Sequence, residues 1–247
     1  MINTVKNTKW MNVFRKDVHI YASKLATCCG MNMYEKQADL IAEFAALLNK
    51  DTSYKTFEEK VDAKITSLET NQREEINNLL TMECKDAVQV NEQIKNIKSK
   101  INDPDILRFV EKKLYTDQGI KEEDKIREKV QIIKKVVYEK NNKFVNSKIP
   151  MLTTRHGIKV YIGGRHDGID QNGNLIEIKN RMKRFLGVPK YELVQIHAYM
   201  FIFQKTRATI IENYLGEVQE HIVEFDDEFW DSVKSELALF IDKLESL

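Results

Sequence analysis

Cysteine is scarce in this chain: Cys28 and Cys29 are adjacent and Cys84 stands alone. Three such residues exclude a disulfide framework and the paired spacing of a zinc site. No apolar run reaches transmembrane length, and no apolar core near Met1 has the form of a secretion signal. The expectation is a soluble, intracellular protein that does not work at a membrane. Charge of one sign is missing as well, because 39 Lys and Arg against 38 Asp and Glu leave a formal charge of +1. Any nucleic-acid surface must therefore come from local clustering. No Gly-x-x-x-x-Gly-Lys-Ser/Thr loop occurs, which excludes an ATP-driven motor of that kind. A length of 247 residues suits one large domain or one domain with an insertion.

What is present centres on Tyr161-Ile-Gly-Gly-Arg-His-Asp-Gly-Ile-Asp-Gln-Asn-Gly-Asn-Leu-Ile-Glu-Ile-Lys179. The alternation of Ile158, Val160 and Ile162 predicts one strand, and Leu175 to Lys179 predicts another. Asn172-Gly173 suits the two positive-φ positions of a two-residue hairpin turn. Side chains alternate along a strand, so Glu177 and Lys179 share one face while Ile176 and Ile178 point into a core. A carboxylate upstream, Asp167 or Asp170, completes a candidate metal site. Two carboxylates are hard oxygen ligands that hold Mg²⁺ and leave positions for water and phosphate oxygen. A neighbouring lysine can orient or help deprotonate the water. Glu-x-Lys alone says little, since it recurs at Glu58, Glu83, Glu111 and Glu123 in helix-like sequence. Strand context and the preceding Asp-Gly distinguish this copy.

At these residues the chain resembles the PD-(D/E)XK nuclease superfamily, and within it the lambda-exonuclease and YqaJ-type viral recombinase nucleases. The resemblance rests on Asp167-Gly168, Glu177-Ile178-Lys179 and Gln195-Ile-His-Ala-Tyr199, the last resembling the Gln-x-x-x-Tyr motif of the RecB-like branch. It implies a metal-dependent DNA nuclease using Mg²⁺, with Mn²⁺ as an alternative. Asp167, Glu177 and the Ile178 carbonyl would hold the ion, and Lys179 would be the catalytic lysine. Iron–sulfur-bearing relatives in the RecB-like group use four cysteine ligands, one more than this chain has. The resemblance also implies an exonuclease on double-stranded DNA ends that feeds recombination or repair, and a viral protein acting in a host cell. An endonuclease of the same fold and a non-catalytic DNA-binding adaptor are the rival readings.

The hairpin poses one difficulty for this assignment. With Asn172-Gly173 as an ideal turn, Gly168 falls opposite Glu177 and Asp167 opposite Ile178. Asp167 would then face away from Glu177, and Asp170 would share its side. A bulge near Gly168 would restore Asp167, so Asp167 with a bulge is expected and Asp170 is the fallback.

Trp10 to Leu48 reads as two helices broken around Cys29-Gly30-Met31-Asn32, with Leu40, Ile41, Phe44, Leu47 and Leu48 as the second stripe. Ile20-Tyr-Ala-Ser23 resembles the Ile-Thr-Ala-Ser element of the viral recombinase nucleases, in which the serine and a basic residue bind a DNA phosphate. Ser23 is the matching serine here, with Arg15 or Lys16 as the cation; the plainer reading makes Ser23 a helix cap and leaves Arg15 solvated. Residues 51–102 are highly charged and lack proline and glycine. Their two stripes, through Val61 and Ile65 and through Val90, Ile94 and Ile97, predict a pair of long antiparallel helices turning near Thr70-Asn71. This inserted arm serves packing, or else contacts a second copy or a recombination partner.

Asp103-Pro104 starts the next helix. Tyr115 to Glu123 opens another, with Ile126, Val130, Ile133 and Val137 inward. Glu123 extends that stripe, where a carboxylate is costly unless paired or metal-bound. Its Gly-x-x-x-Glu pattern resembles the acidic helix element of the lambda-exonuclease group, making Glu123 a third acidic contributor. After the hairpin, Lys179, Arg181, Lys183, Arg184 and Lys190 form a basic run suited to a phosphate track, with Arg181 and Arg184 as DNA contacts. Gln195 and Tyr199, one turn apart on a helix from Lys190 to Phe203, are further DNA-facing candidates. His197 is expected to pack or be solvated. Two strands, Ala208–Tyr214 and Val218–Phe225, and a terminal helix with Phe229, Val233, Leu237, Phe240 and Leu244 inward complete the chain.

The expected architecture is an α/β, restriction-endonuclease-like mixed sheet flanked by helices, with the helical pair inserted. Residues 1–50 would supply N-terminal helices of the nuclease domain, 51–102 the arm, and 103–247 the nuclease core.

Overall fold

The computed structural model describes residues 11–14, 17–47, 55–134, 143–155 and 157–246. Its elements are mixed α/β, arranged around two mixed sheets. The first sheet has the order β1-β2-β5-β3, with β4 also on β5: β1 is Met11–Phe14, β2 Asp17–Tyr21, β3 Val145–Asn146, β4 Leu152–Thr153 and β5 Lys159–Gly164. β2 and β5 run parallel, placing Val18 beside Val160 and Ile20 beside Ile162. The second sheet is β6 (Gly168–Ile169), β7 (Leu175–Asn180), β8 (Arg207–Tyr214) and β9 (Glu217–Glu224), in that order. β7 and β8 are parallel, so a crossover must join them, and α7 (Lys190–Phe203) supplies it.

The main core lies where α1 (Ala22–Cys28), α7 and α8 (Asp227–Glu245) meet the two sheets. Ile20, Leu25, Ile162, Leu175, Ile210 and Phe240 are fully enclosed there. Each such side chain contributes roughly 1.5–3 kcal/mol by leaving water. α8 begins on the Asp226 carboxylate, which accepts from the Phe229 N–H at 2.9 Å, and buries Trp230, Val233, Leu237, Phe240, Ile241 and Leu244 as one stripe. His197 packs on Phe225 and Phe229, and its Nε2 accepts from the Asp226 N–H at 3.1 Å, so it is a packing residue as expected.

Several expectations are corrected. The segment before Ala22 is a hairpin, β1–β2, not a helix: Val18 and Ile20 are buried in strict alternation with Asp17, His19 and Tyr21. The first strand of the central stretch, β5, pairs in the other sheet, and only β6 forms the hairpin with β7. Among the described residues the arm is three helices, α3 (Phe57–Ser67), α4 (Thr70–Thr81) and α5 (Ala87–Lys98), rather than a long pair. α3 starts in a capping box between Thr56 and Glu59, and α5 starts on Asp86, whose carboxylate accepts from the Gln89 N–H. Their apolar interior includes Ile106, Val110 and Leu114 of α6, so this cluster extends past residue 102. α6 is one helix, Pro104–Lys134, running through Gly119 where two helices were expected. Asp103 caps it as predicted, accepting from the N–H groups of Asp105 and Ile106. Among the described residues no helix is long and apolar enough to cross a membrane.

Candidate active site

β6 is only two residues long. Its register sets Gly168 against Ile176 and Ile169 against Leu175, which carries Asp167 opposite Glu177. That register differs by one residue from the ideal-turn expectation, and the turn is the reason. Residues 170–174 form a five-residue loop, in which Asp170 accepts from the Asn172 N–H at 2.9 Å, the Asn174 N–H at 2.8 Å and Asn174 Nδ2 at 3.0 Å. Gly173 has φ +78°, while Asn172 is not among the positive-φ residues. The longer loop therefore does what the bulge near Gly168 was expected to do, and Asp170, the fallback ligand, is occupied in shaping it. The two-residue positive-φ turn occurs instead at Leu215-Gly216, between β8 and β9.

Because β6 stops so early, the far half of β7 has no strand on that side among the described residues. The Ile178 N–H on this edge donates to Asp167 Oδ2 at 2.7 Å. The N–H and C=O of one strand residue leave by the same edge, so the Ile178 carbonyl faces this way too. A pocket of about 280 Å³ opens here between β7 and α6, lined by Asp167, Glu177, Ile178, Lys179 and Asn180 on one side. Tyr115, Thr116, Gly119, Ile120 and Ile126 of α6 form the other wall.

Ile176 and Ile178 pack on Ile126, Val130 and Ile211. Glu177 and Lys179 occupy the opposite face, toward α7. Glu177 is enclosed at 6% exposure; its Oε1 accepts from Lys179 Nζ at 2.8 Å and its Oε2 is buried with no described partner. Burial, then the Asp167 carboxylate, push the Glu177 carboxyl up to about 8 against the pull of Lys179. Burial works against the charge on Lys179, but the carboxylates around it prevail and hold its ammonium above the usual lysine range. The amine also donates to Gln195 Oε1 at 3.0 Å, and Gln195 Nε2 donates to the Tyr199 hydroxyl at 2.8 Å. Gly164 makes room for this chain of bonds, since a Cβ there would stand 2.6 Å from the Tyr199 ring. The sequence-predicted group of Asp167, Glu177, Ile178, Lys179, Gln195 and Tyr199 is thus brought together.

Other expected residues fall elsewhere. Glu123 lies on α6, at helical spacing between the pocket-lining residues Gly119 and Ile126, but its side chain is outside the described residues. Among the described residues no three His, Cys, Asp or Glu side chains form a metal-holding group. Glu122 is engaged by Asn180 Nδ2 at 2.6 Å and Gln118 Nε2 at 2.8 Å. Ser23 is exposed in the first turn of α1, whose N-cap is Tyr21, so it is not the cap. Arg15 and Lys16 lie outside the described residues. Arg184 is exposed, as a phosphate contact requires. Arg181 is not: its side chain is 7% exposed and its guanidinium is taken up by Glu192 and Glu212. The expected surface contact is therefore an interior residue.

The sequence gives no role to Asn180 and Glu212, places Glu192 only on the Gln195 and Tyr199 side of its helix, and offers Glu122 only as a favourable charge at a helix N-terminus. Glu212 did leave a signal, a single carboxylate in the strand Thr209-Ile-Ile-Glu-Asn213.

Three solved structures are similar to this fold at low identity. An alkaline exonuclease (LHK-Exo) from Laribacter hongkongensis aligns over 69% of this chain and 87% of its own, at 17% identity and a TM-score of 0.41. A phage related exonuclease from Haemophilus somnus 129PT aligns over 98% of this chain and 97% of its own, at 11% identity and a TM-score of 0.47. The structure of SSO0001 aligns over 70% and 87%, at 13% identity and a TM-score of 0.39. No protein-family model and no curated protein matches the chain.

Proposed function

We propose that the chain is a divalent-metal-dependent deoxyribonuclease that hydrolyses phosphodiester bonds, acting as an exonuclease on double-stranded ends. One observation carries this reading. Glu177 is enclosed with an unpartnered carboxylate oxygen, beside Asp167 and Lys179, at the rim of a pocket. Two carboxylates meet one ammonium there, so a further positive charge would balance the site. Hard oxygen donors of this kind suit Mg²⁺ or Mn²⁺.

In this reading Asp167, Glu177 and the Ile178 carbonyl hold the ion, and Glu123 supports it from α6. When bound, the cation would polarise the scissile phosphate and make a water more acidic. Lys179 orients that water and offsets charge on the phosphate. Gln195, itself fixed by Tyr199, keeps the lysine aimed across the strand. Arg184 and Ser23 are exposed and suited to the DNA backbone. The reading extends to a soluble protein of viral origin in recombination or repair, with the helical unit open to a second copy or a recombination partner.

The test uses linear and covalently closed circular duplexes with Mg²⁺ or with EDTA. Degradation of the linear form alone, and only with Mg²⁺, is expected. Cutting of the circle would make the protein an endonuclease. Binding with no cutting of either would leave a non-catalytic DNA-binding adaptor.

A further inference from the structure

Arg181 lies one residue beyond β7, and its N–H donates to the Asn213 carbonyl of β8 at 2.8 Å, continuing the ladder. Its guanidinium grips Glu192 with two parallel bonds, Nη1 to Oε1 at 2.6 Å and Nη2 to Oε2 at 2.7 Å. Its Nε donates to Glu212, and Nη2 also reaches the Gly187 carbonyl at 3.2 Å. Glu212 is itself fully buried and accepts from the Leu186 N–H at 2.9 Å, the Gly187 N–H at 3.0 Å and His221 Nε2 at 2.7 Å. One side chain thus joins the end of β7, the C-terminal part of β8, the connecting loop and the first turn of α7.

A buried ion cluster of this kind is a poor way to gain stability, since apolar residues of the same volume often serve as well or better. What it does supply is a fixed geometry, and bidentate pairing to a planar guanidinium fixes it tightly. The element being fixed matters here. Glu192 is one helical turn before Gln195, and Gln195 Oε1 receives the Lys179 amine. Lys179 and Arg181 also alternate onto the same face of one strand. The two ends of the Lys179–Gln195 contact are therefore held in register by the guanidinium two residues along.

We infer that Arg181 is a positioning residue that sets the placement of Lys179 by locking α7 onto β7, and that it does not touch DNA. This rests on the nuclease reading for its kinetic consequence, but the placement of the amine can be read without turnover. In Arg181→Lys, which keeps the charge but loses the fork, kcat on linear duplex with Mg²⁺ should fall about tenfold or more. KM for DNA should stay within about twofold, and its dependence on salt should keep the wild-type slope. A raised KM with unchanged kcat in Arg181→Lys, or a salt slope shallower by about one in the charge-removing Arg181→Gln, would make Arg181 a phosphate contact and overturn the inference. Arg181→Lys combined with Gln195→Ala should be no slower than Gln195→Ala alone, because both act through one contact; fully multiplicative losses would also overturn it.

Glu192→Gln provides a second route, since it weakens the same fork while keeping the volume of the side chain. Nitrogen-15 NMR of lysine ammonium groups reads the placement directly, with the Lys179 signal identified by its loss in Lys179→Arg. That signal should shift in both Arg181→Lys and Glu192→Gln, and an unmoved signal would sink the inference. If the signal moves while the wild-type protein cuts no DNA, the nuclease reading fails and the positioning role stands.

Discussion

Ile178 donates its backbone N–H to Asp167 Oδ2 at 2.7 Å, so the strand that carries Glu177 also orients the carboxylate across from it. The contact explains how a two-residue strand can place the carboxylate of the proposed ligand Asp167 beside Glu177. Asp167 lies just outside β6, beyond the last ladder pair, and a side-chain bond to the edge of β7 takes the ladder's place. It also makes the site depend on register, because a slip of one residue would send Asp167 to the opposite face.

That dependence separates Asp167 from Asp170. If the ion binds as proposed, Mg²⁺ should raise the melting temperature, and Asp167→Asn should abolish that rise. Asp170→Asn should keep it, because Asp170 is engaged with Asn172 and Asn174 in the turn. Asp170→Ala should cost about 1–2 kcal/mol by leaving turn N–H groups without their acceptor. Thermal melts with and without Mg²⁺ on the three variants check this. Loss of the Mg²⁺ effect in Asp170→Asn alone would reverse the assignment.

Lys179→Ala should lower the cleavage rate by about a hundredfold or more, in the range that a positioned proton-transfer group supplies. DNA binding should change little, since the amine is directed at Glu177 and Gln195 rather than outward. Cleavage rates and fluorescence anisotropy with a labelled duplex measure the two effects separately. Full activity in this variant would remove Lys179 from the chemistry.

Much of this site was legible because its parts carry local patterns. β7 shows two-residue alternation, α7 has Gln195 and Tyr199 one turn apart, and α8 has a single clean stripe. The register of the hairpin was not legible. It is decided by how many residues the Asp170 side chain gathers into the loop, and Asn172-Gly173 reads equally well as a shorter turn. The second break of the helical arm, after Thr81, is hidden in the sequence because it contains neither proline nor glycine; the sign of a new start there is Asp86, capping α5. The burial of Arg181 has no local sign, because its partners are distant in sequence, 11 residues away for Glu192 and 31 for Glu212. Nothing in a basic run distinguishes the member that turns inward.

Glu35 links three elements and should mark the acid limit of the fold. It accepts from Lys24 Nζ at 2.8 Å and from Thr27 at 2.9 Å, and it also pairs with Lys112 of α6. Burial alone would raise its pKa, but the two ammonium groups outweigh that and hold it at about 2, against an ordinary 4.5. The folded state therefore binds this proton less readily than the unfolded chain. Its stabilisation is complete above the ordinary value and is lost as pH falls toward 2. Glu35→Gln should cost about 2 kcal/mol at pH 7, and the gap to wild type should close as pH falls from 4.5 to 2. Urea unfolding across that range reads the difference, and a gap independent of pH would show that the carboxylate charge is not what holds these helices together.

Glu177 should give the opposite dependence. Its folded value, about 8, lies above the ordinary 4.5, so in the metal-free protein the folded state keeps a proton that the unfolded chain has released. Stability then falls as pH rises from 4.5 through 8, since the native state binds more protons in that window. Glu177→Gln removes the buried charge without changing the shape of the side chain. In EDTA at pH 8.5 this variant should melt higher than wild type, by on the order of 5 °C for ~2 kcal/mol in a chain of this size. The advantage should shrink toward pH 5, where wild-type Glu177 is protonated in the fold. In the proposed reading Mg²⁺ should reverse the order at pH 8.5, because a bound ion would stabilise the wild-type carboxylate and would meet only an amide in the variant. Scanning calorimetry at the two pH values, with EDTA and then with Mg²⁺, tests both signs. A variant that melts below wild type in EDTA at pH 8.5 would mean that the Lys179 pair alone satisfies Glu177, and that the site has no need of a cation.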